Sequence, residues 1–347
     1  MPKTAAEGLL ERVDMHKLTS RFGAVEVGGK RLFFKRLEHA EYYRELQGYN
    51  AIHEWYPTAR LLGSSRNQTD GIILFDYEDS VEHDSGLLVD VVAAGGDAAA
   101  AIRPMWAIFA DVFIRTAKLA NGTTSDIFFA DRVGTRLPIF YLPEYIEAWN
   151  GRQVNLNGRR IAIRLDEILA DIRMYFNQRT DTLCVLSQCD PNDLNLGLKP
   201  ILFDYAGGGM NPLMAELATL IWYNAVQGSY LAPKYNTKAF IGHEAIIGKI
   251  CEPRRLRDGL EFQIPQIRHE LISSYLNIVV IPVIAHADPA WDWGRELRVY
   301  LAMRALAVFD VSKFDDIDQE VTLGILQLIY DTLPTDVGQL TNLIEEL

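Results

Sequence analysis

The segment Leu183-Cys-Val-Leu-Ser-Gln-Cys-Asp-Pro-Asn-Asp-Leu-Asn195 is an apolar run that ends abruptly in polar residues. A second apolar run, Pro200-Ile-Leu-Phe203, follows directly and ends in Asp204. Short apolar runs bounded by polar turn residues are typical of buried strands. Asp190, Asn195 and Asp204 are therefore predicted to lie at the ends of two neighbouring strands, where their side chains can converge.

These three side chains have the chemistry of a site for a hard metal ion. Carboxylate and amide oxygens suit Mg²⁺, which keeps several waters and binds the phosphates of a substrate. An acid that is not a metal ligand can accept a proton from a hydroxyl nucleophile. The pattern of Asp190, Asn195 and Asp204 therefore indicates phosphate chemistry.

The first eighty residues predict strands around one helix. Residues 24–37 alternate around Gly28-Gly29, which indicates a hairpin. Residues 38–54 repeat aromatic and aliphatic side chains at helical spacing, and Pro57 ends the helix. The run from Gly71 to Asp76 predicts a further strand.

The rest of the chain is predicted to be mainly helical. Apolar residues recur at helical spacing in five segments, at residues 98–119, 164–178, 214–226, 268–283 and 295–308. Residues 126–160 are rich in aromatic residues and arginines, which fits either the wall of a substrate pocket or a surface elaboration.

Composition narrows the function classes. The chain has 347 residues, and 49% of them are hydrophobic, which excludes intrinsic disorder. Its net charge of −12 disfavours nucleic acid and anionic membranes as partners. The same charge favours a cationic or neutral substrate. Three cysteines without a CxxC pair predict reduced thiols in the cytoplasm. The longest apolar run, residues 278–287, is about half of the ~20 residues that a membrane span needs.

Together these motifs resemble the kinase-like family of aminoglycoside phosphotransferases and choline kinases. The catalytic loop of that family reads His-Gly-Asp, four residues, then Asn, and a strand with a metal-binding Asp follows. The resemblance implies that Asp190 is the catalytic acid and that Asn195 and Asp204 hold Mg²⁺. It also implies an α+β, bilobal protein-kinase-like fold. A small antiparallel-sheet lobe would span residues 1–85, and a large, mainly helical lobe residues 86–347.

The resemblance further implies a nucleotide site for ATP (or GTP). Lys35 resembles the strand lysine that contacts nucleotide phosphates, and Glu45 on the following helix is predicted to be its ion-pair partner, with Glu41 as the alternative. Backbone groups near Asp76 and Glu78 are predicted to form the adenine hinge.

Two departures from the family pattern stand out. Gln188-Cys189 replaces the His-Gly of the catalytic loop. A glutamine can replace the hydrogen bonds of the histidine, whereas a cysteine needs more room than glycine and has a less permissive backbone. A glycine-rich nucleotide loop is also missing, and residues 19–23 are the nearest candidate. Downstream, Glu216-Leu-Ala resembles the start of a family helix.

The predicted function is Mg²⁺-dependent transfer of phosphate from a nucleotide to a hydroxyl of a small molecule. The resemblance suggests an antibiotic of aminoglycoside or nucleoside type, an aminoalcohol or a sugar as acceptor, and the oligomeric state stays open. A catalytically inactive, binding-only kinase fold is the alternative, and Gln188-Cys189 motivates it. A protein substrate is disfavoured because the segment from Asp204 to Glu216 is short and no Ala-Pro-Glu motif follows Asp204.

Overall fold

The structure is a computed structural model of the chain. It describes residues 20–67, 69–78, 86–121, 124–178, 181–287, 291–332, 334 and 336–346. The start of the predicted glycine loop, Thr19, and residues 79–85 before the predicted lobe boundary lie outside the described residues.

The N-terminal part of the chain forms a four-stranded antiparallel sheet and one helix. The strands are β1 (Phe22–Val27), β2 (Lys30–Glu38), β3 (Leu61–Arg66) and β4 (Asp70–Asp76), in the order β1-β2-β4-β3, and helix α1 spans His39–Ile52. The predicted hairpin, helix and final strand are confirmed. Strand β3 was missed because its sequence, Leu-Leu-Gly-Ser-Ser-Arg, alternates poorly and contains a bulge between Leu61 and Gly63.

The rest of the described chain is mostly helical, as predicted. The helices are α2 (Leu88–Ala94), α3 (Ala98–Thr116), α4 (Thr124–Thr135), α5 (Leu137–Phe140), α6 (Pro143–Trp149), α7 (Leu165–Asn177), α8 (Leu213–Trp222), α9 (Ala232–Tyr235), α10 (Gln266–Tyr275), α11 (Ile281–Ile284), α12 (Trp293–Ala307), α13 (Asp316–Asp331) and α14 (Val337–Glu346). Two π-helical segments, Tyr223–Leu231 and Leu276–Val280, extend α8 and α10, and short 3-10 turns occupy Thr237–Phe240, Glu244–Lys249 and Val311–Lys313.

Among the described residues of the helical part, nine short strands form three small sheets. They are β5 (Lys118–Ala120), β6 (Gln153–Leu156), β7 (Arg159–Ala162), β8 (Thr182–Ser187), β9 (Leu196–Gly197), β10 (Ile201–Leu202), β11 (Gly209–Pro212), β12 (Arg254–Leu256) and β13 (Gly259–Glu261). Their orders are β11-β8-β5, β10-β9 and β12-β13-β6-β7. Strand β8 is buried along its whole length. It therefore gives the loop that follows it a rigid base.

The helix of the N-terminal sheet lies directly against the segment that follows Asp204. A Cβ atom placed on Gly48 of α1 would come within 1.7 Å of the Tyr205 carbonyl oxygen. Only glycine permits so close an approach of two backbones. Beyond the helix, Thr58 forms a β-bridge with Leu202 of β10. These contacts bring the N-terminal helix and the segment after it against β10 and the residues that follow Asp204.

One helical stretch in the described chain, Gln266–Ile284, is long and apolar enough to cross a membrane by length and composition alone. It packs against α3, where Tyr275 contacts Trp106 and Phe109 edge to face. Buried core helices of soluble proteins have the same length and composition.

Candidate active site

The catalytic-loop candidate is a compact turn held by its own side chains. It leaves the buried strand β8 at Ser187 and ends at β9. The Asn195 amide nitrogen donates a hydrogen bond to the Asp190 carbonyl oxygen at 3.0 Å, and the Leu194 backbone N–H donates to the Asn192 side chain at 2.9 Å. The Phe203 N–H donates to the Asn195 carbonyl oxygen at 2.9 Å. This last bond places Asp204 beside the loop, as the strand-end argument predicted.

Lys35 lies between two carboxylates. It is on β2, a central strand of the N-terminal sheet, and its ammonium is 2.6 Å from Glu45 and 3.0 Å from Asp204. Glu41, the alternative partner, pairs with Arg21 instead. Burial alone would lower the pKa of Lys35, but the two carboxylates outweigh it and the pKa is raised. Lys35 is therefore positively charged and aimed at the cleft beside Asp204.

The two acids of the site are in different electrostatic environments. Lys35 lowers the pKa of Asp204, whereas burial raises the pKa of Asp190, against the opposing charge of Arg304. The Asp190 side chain keeps 36% of its surface exposed and is 3.4 Å from Arg304. A metal ligand benefits from the low pKa of Asp204, and a proton acceptor benefits from the higher pKa of Asp190.

The Gln188-Cys189 departure has a clear structural outcome. The Gln188 amide nitrogen donates hydrogen bonds to the carbonyl oxygens of Phe203 and Asp204, at 2.8 and 2.6 Å, and its amide oxygen accepts from the Asp190 N–H at 3.2 Å. One glutamine thus ties the loop to the Asp204 segment. Cys189 has a φ of 66°, in the left-handed region that favours glycine. The backbone cost that the sequence analysis expected at this position is present.

Glu216, at the start of α8, supports the same loop from below. It is fully buried and accepts hydrogen bonds from the Ser187 hydroxyl, at 2.8 Å, and from the Cys189 backbone. Burial raises its pKa to about 8. The acid of the Glu-Leu-Ala stretch therefore positions the turn that carries Asp190.

Asp193 of the same loop is held by a residue from a distant part of the chain. It is buried, its carboxylate is 2.6 Å from Arg268 of α10, and it accepts a hydrogen bond from Tyr223. Helix pattern alone gave no signal for this ion pair, because Arg268 is far away in sequence. The loop is therefore anchored to a distant helix by a buried charge.

The predicted hinge residues lie at the end of β4. The Asp76 N–H donates to the Arg60 carbonyl oxygen at 2.9 Å, and its carboxylate pairs with Lys30 and Arg60. The Asp76 N–H is therefore already used within the protein. The backbone groups that could bind adenine in the predicted hinge are those nearer to Glu78. Glu78 is half-buried two residues beyond the strand.

The residues present fit Mg²⁺ bound together with phosphates. The amide nitrogen of Asn195 is used by the loop, which leaves its oxygen as the ligand atom, and Asp204 supplies a charged carboxylate. Among the described residues, no three His, Cys, Asp or Glu side chains cluster as a metal site. Mg²⁺ held with substrate phosphates needs only one or two protein carboxylates.

The fold defines the class: this is an α+β chain with the kinase-like fold of the aminoglycoside phosphotransferases. Among solved structures, it is similar to a thermostable mutant of aminoglycoside phosphotransferase APH(4)-Ia in its apo form, with a TM-score of 0.51, 11% identity and 89% of each chain covered. A ternary complex of the same enzyme with ADP and hygromycin B has a TM-score of 0.49 and 10% identity, with 95% of this chain and 98% of that chain covered.

No protein-family pattern and no curated protein matches the sequence. At this identity, the likeness to the apo enzyme shows the fold. The predicted fold class is therefore confirmed. The roles of individual site residues remain predictions that rest on the geometry of the site.

Proposed function

We propose that this protein is a phosphotransferase that uses ATP (or GTP) and Mg²⁺ to phosphorylate a hydroxyl group of a small molecule. One observation supports the proposal above all. Lys35 and Glu45 from the N-terminal sheet and helix meet Asp204 at ion-pair distance, and Asp190 and Asn195 lie on the adjoining loop.

Each residue has a role that matches its environment. Lys35, held by Glu45, would bind nucleotide phosphates, and Asn195 and Asp204 would hold Mg²⁺, which supplies charge neutralisation of those phosphates. Asp190 would orient the acceptor hydroxyl and accept its proton. Catalysis of this kind consists of positioning and electrostatics, because the transition state of phosphoryl transfer is loose.

The lobe division also belongs to this proposal. The N-terminal sheet ends at Asp76 and the first helix of the helical part begins at Leu88, which supports lobes at residues 1–85 and 86–347. The nucleotide would bind between them, with the hinge near Glu78. The absence of a disulfide among Cys184, Cys189 and Cys251 is compatible with a cytoplasmic protein.

The alternative is a kinase fold that binds nucleotide without turnover. The cysteine at position 189, in a glycine-like conformation, is the observation that favours it. Against it, Gln188 makes the bonds that hold the loop to Asp204, so the replacement of histidine leaves the site assembled.

Two substitutions test the proposed roles separately. Asp204→Asn removes charge from the metal site and should weaken Mg²⁺-dependent binding of a nonhydrolysable nucleotide, measured by calorimetry. Asp190→Asn should keep nucleotide affinity and reduce phosphate transfer by ~10²-fold or more. Asp111→Asn, in an exposed ion pair with Arg115, is the matched control and should change neither quantity.

Equal loss of nucleotide binding in both site variants would contradict the assignment of roles. The acceptor is found by following nucleotide consumption over a panel of hydroxylated metabolites and antibiotics. Nucleotide binding with Mg²⁺ but no transfer to any acceptor would favour the binding-only alternative.

A further inference from the structure

Arg304 of α12 is a buried cation at the proposed catalytic acid. Its side chain is only 10% exposed, and a terminal guanidinium nitrogen is 3.4 Å from the Asp190 carboxylate. Its Nε is buried without a hydrogen-bond partner. A buried guanidinium normally pairs its donors with anions, since desolvating the charge is costly. The arrangement therefore has unused capacity to bind negative charge beside Asp190.

A second arginine, Arg132, lies near Arg304 on the neighbouring helix α4. The Arg136 guanidinium, just after α4, donates to the Ala307 carbonyl oxygen at 2.8 Å and so fixes the end of α4 against the end of α12. Arg132 precedes Arg136 by one helical turn, and Arg304 precedes Ala307 by nearly one turn. Arg132 and Arg304 thus occupy matching positions on two packed helices.

The charges of Arg304 and Arg136 act on Arg132. Burial, together with the charges of Arg304 and Arg136, lowers the pKa of Arg132 to about 9, so it stays protonated at neutral pH. Two guanidinium groups, those of Arg304 and Arg132, therefore lie close enough to the Asp190 carboxylate to act on it. Two cations thus act on the proposed catalytic acid, although the whole chain carries a net charge of −12.

The arginine and the lysine of the site contact different acids. Lys35, which would hold the nucleotide phosphates, bonds to Glu45 and Asp204, whereas Arg304 bonds to Asp190. A ligand that binds Arg304 would therefore lie beside Asp190, the residue proposed to orient the acceptor hydroxyl.

We propose that the acceptor carries an anionic group, a carboxylate or a phosphate, which binds Arg132 and Arg304 while its hydroxyl lies at Asp190. The inference rests on the proposed phosphotransferase function and specifies its substrate class. It replaces the expectation of a cationic or neutral acceptor, which used the net charge of the whole chain. The net charge of the chain acts on a ligand at long range as it approaches the protein, whereas the side chains within a few ångströms of the ligand decide which acceptor is bound.

The test uses four probes that share a three-carbon skeleton. They are D-glycerate with a carboxylate, glycerol 3-phosphate, neutral glycerol and cationic 2-amino-1,3-propanediol. Each is titrated into the protein already saturated with AMP-PNP and Mg²⁺, so that the nucleotide site is filled, and binding is followed by ligand-observed NMR. We expect saturable binding of at least one anionic probe and weaker binding of the neutral and cationic ones. The two anionic probes distinguish carboxylate from phosphate recognition.

Variants locate the binding. Arg132→Gln and Arg304→Gln should each weaken binding of the anionic probe by about 10-fold to 100-fold, the range expected for a lost hydrogen bond to a charged group. Arg254→Gln, in an exposed pair with Glu261, is the matched control and should bind like wild type. Circular dichroism checks folding, and the less buried Arg132 carries the test if the Arg304 variant does not fold.

Each outcome decides the proposal. It is overturned if wild type binds no anionic probe, if the neutral or cationic probe binds best, or if both arginine variants bind the anion normally. It is also overturned if the arginine variants weaken AMP-PNP as much as the anion, because the arginines would then hold nucleotide phosphates. Failure of AMP-PNP to bind wild type would instead contradict the proposed phosphotransferase function itself.

Discussion

The amide nitrogen of Gln188 donates a hydrogen bond to the backbone carbonyl oxygen of Asp204 at 2.6 Å and a second one to Phe203 at 2.8 Å. This side chain connects the loop that carries the proposed proton acceptor with the residue proposed to bind Mg²⁺. Both acceptors are main-chain carbonyl groups, so the connection requires a donor at position 188 and no particular charge.

Gln188→Glu should therefore be destabilising although it preserves shape. The substitution replaces the donating nitrogen by an oxygen that faces two carbonyl oxygens, and an unsatisfied buried group costs about 1–3 kcal/mol. We expect the free energy of unfolding in urea to fall by that amount and Mg²⁺-dependent nucleotide binding to weaken. Gln178→Glu, at an exposed position, is the control. Unchanged stability of the Gln188 variant would show that the glutamine bridge is dispensable.

Position 189 should prefer glycine to alanine. Cys189 has a φ of 66°, and the left-handed region costs residues with a Cβ atom about 1–2 kcal/mol. Cys189→Gly and Cys189→Ala both lose the sulfur, but only glycine relieves the backbone. We expect the free energy of unfolding of the glycine variant to be about 1 kcal/mol higher than that of the alanine variant.

The control for that comparison is the same two substitutions at Cys184, which lies in the middle of strand β8. There alanine should be more stable than glycine by about 0.5–1 kcal/mol, because glycine loses more conformational entropy in a strand. The same order at both cysteines would contradict strain at position 189.

Gly48→Ala should disturb the site from the helix behind it. The new Cβ atom would meet the Tyr205 carbonyl oxygen at 1.7 Å, so α1, which carries Glu45, must move away from the Asp204 segment. We expect the free energy of unfolding to fall by about 3 kcal/mol, the upper end of overpacking costs, and nucleotide binding to weaken. Gly134→Ala in α4, where nothing lies within 4 Å, should be neutral or stabilising. Similar stability of the two variants would rule out the close approach.

Glu216 should make stability depend on pH. Burial raises its pKa from 4.5 to about 8, so between these pH values the folded protein holds a proton that the unfolded chain has released. The contribution of Glu216 is thus fully present below pH ~4.5 and is lost as pH rises through about 8. Glu216→Gln cannot ionise and should lose this part of the pH dependence, which is worth a few kcal/mol at most.

Urea unfolding at several pH values between about 5 and 9 compares wild type, Glu216→Gln and the exposed control Glu144→Gln. The Glu216 variant should gain stability relative to wild type as pH rises, whereas the control should follow wild type. Parallel curves for all three proteins would mean that Glu216 is ionised in the folded state throughout.

Lys35→Ala should reduce productive nucleotide binding without unfolding the protein. The lysine is the cation that faces both Glu45 and Asp204, and its loss leaves those two acids without the charge between them. Steady-state kinetics at saturating acceptor and calorimetry with AMP-PNP measure the effect. Lys30→Ala, an exposed lysine on the same strand that pairs with Asp76, is the control. Full activity of the Lys35 variant would remove this residue from the site.

Much of the fold could be read from local pattern. Alternation around Gly28-Gly29 and helical spacing in residues 38–54 depend on neighbours in sequence, and both elements formed as expected. The choice of Glu45 over Glu41 rested on the helix face that Glu45 shares with Tyr49 and Ile52, which are buried as Glu45 is. The Lys35–Glu45 contact in the structure agrees with that choice.

The polar residues that follow the two apolar runs could also be recognised from the sequence. Asp190 and Asp204 follow short apolar runs, as predicted. The two strands are not neighbours in one sheet, however, because β8 and β10 belong to different sheets, and the bond from the Phe203 N–H to Asn195 brings Asp204 beside the loop. Gln188 and Cys189 could be recognised as departures from a motif, and the physics of glycine gave the expected strain at position 189. Strand β3 escaped because Gly63 and its serine neighbours hide the alternation that marks a half-buried strand.

Sequence by itself therefore determined the hairpin, the helix and the last strand of the N-terminal sheet and singled out the acids of the proposed site, since these depend on local periodicity and on spacing within one loop. Only the tertiary structure decided what surrounds Asp190. Arg304 is 114 residues away from Asp190 in the chain, and Arg132 is on another helix. Helical spacing tells which face of a helix is apolar, but the helix that packs against it is fixed by the core of the whole lobe. The positive charge beside Asp190 arises from that packing, and the net charge of the chain pointed the other way.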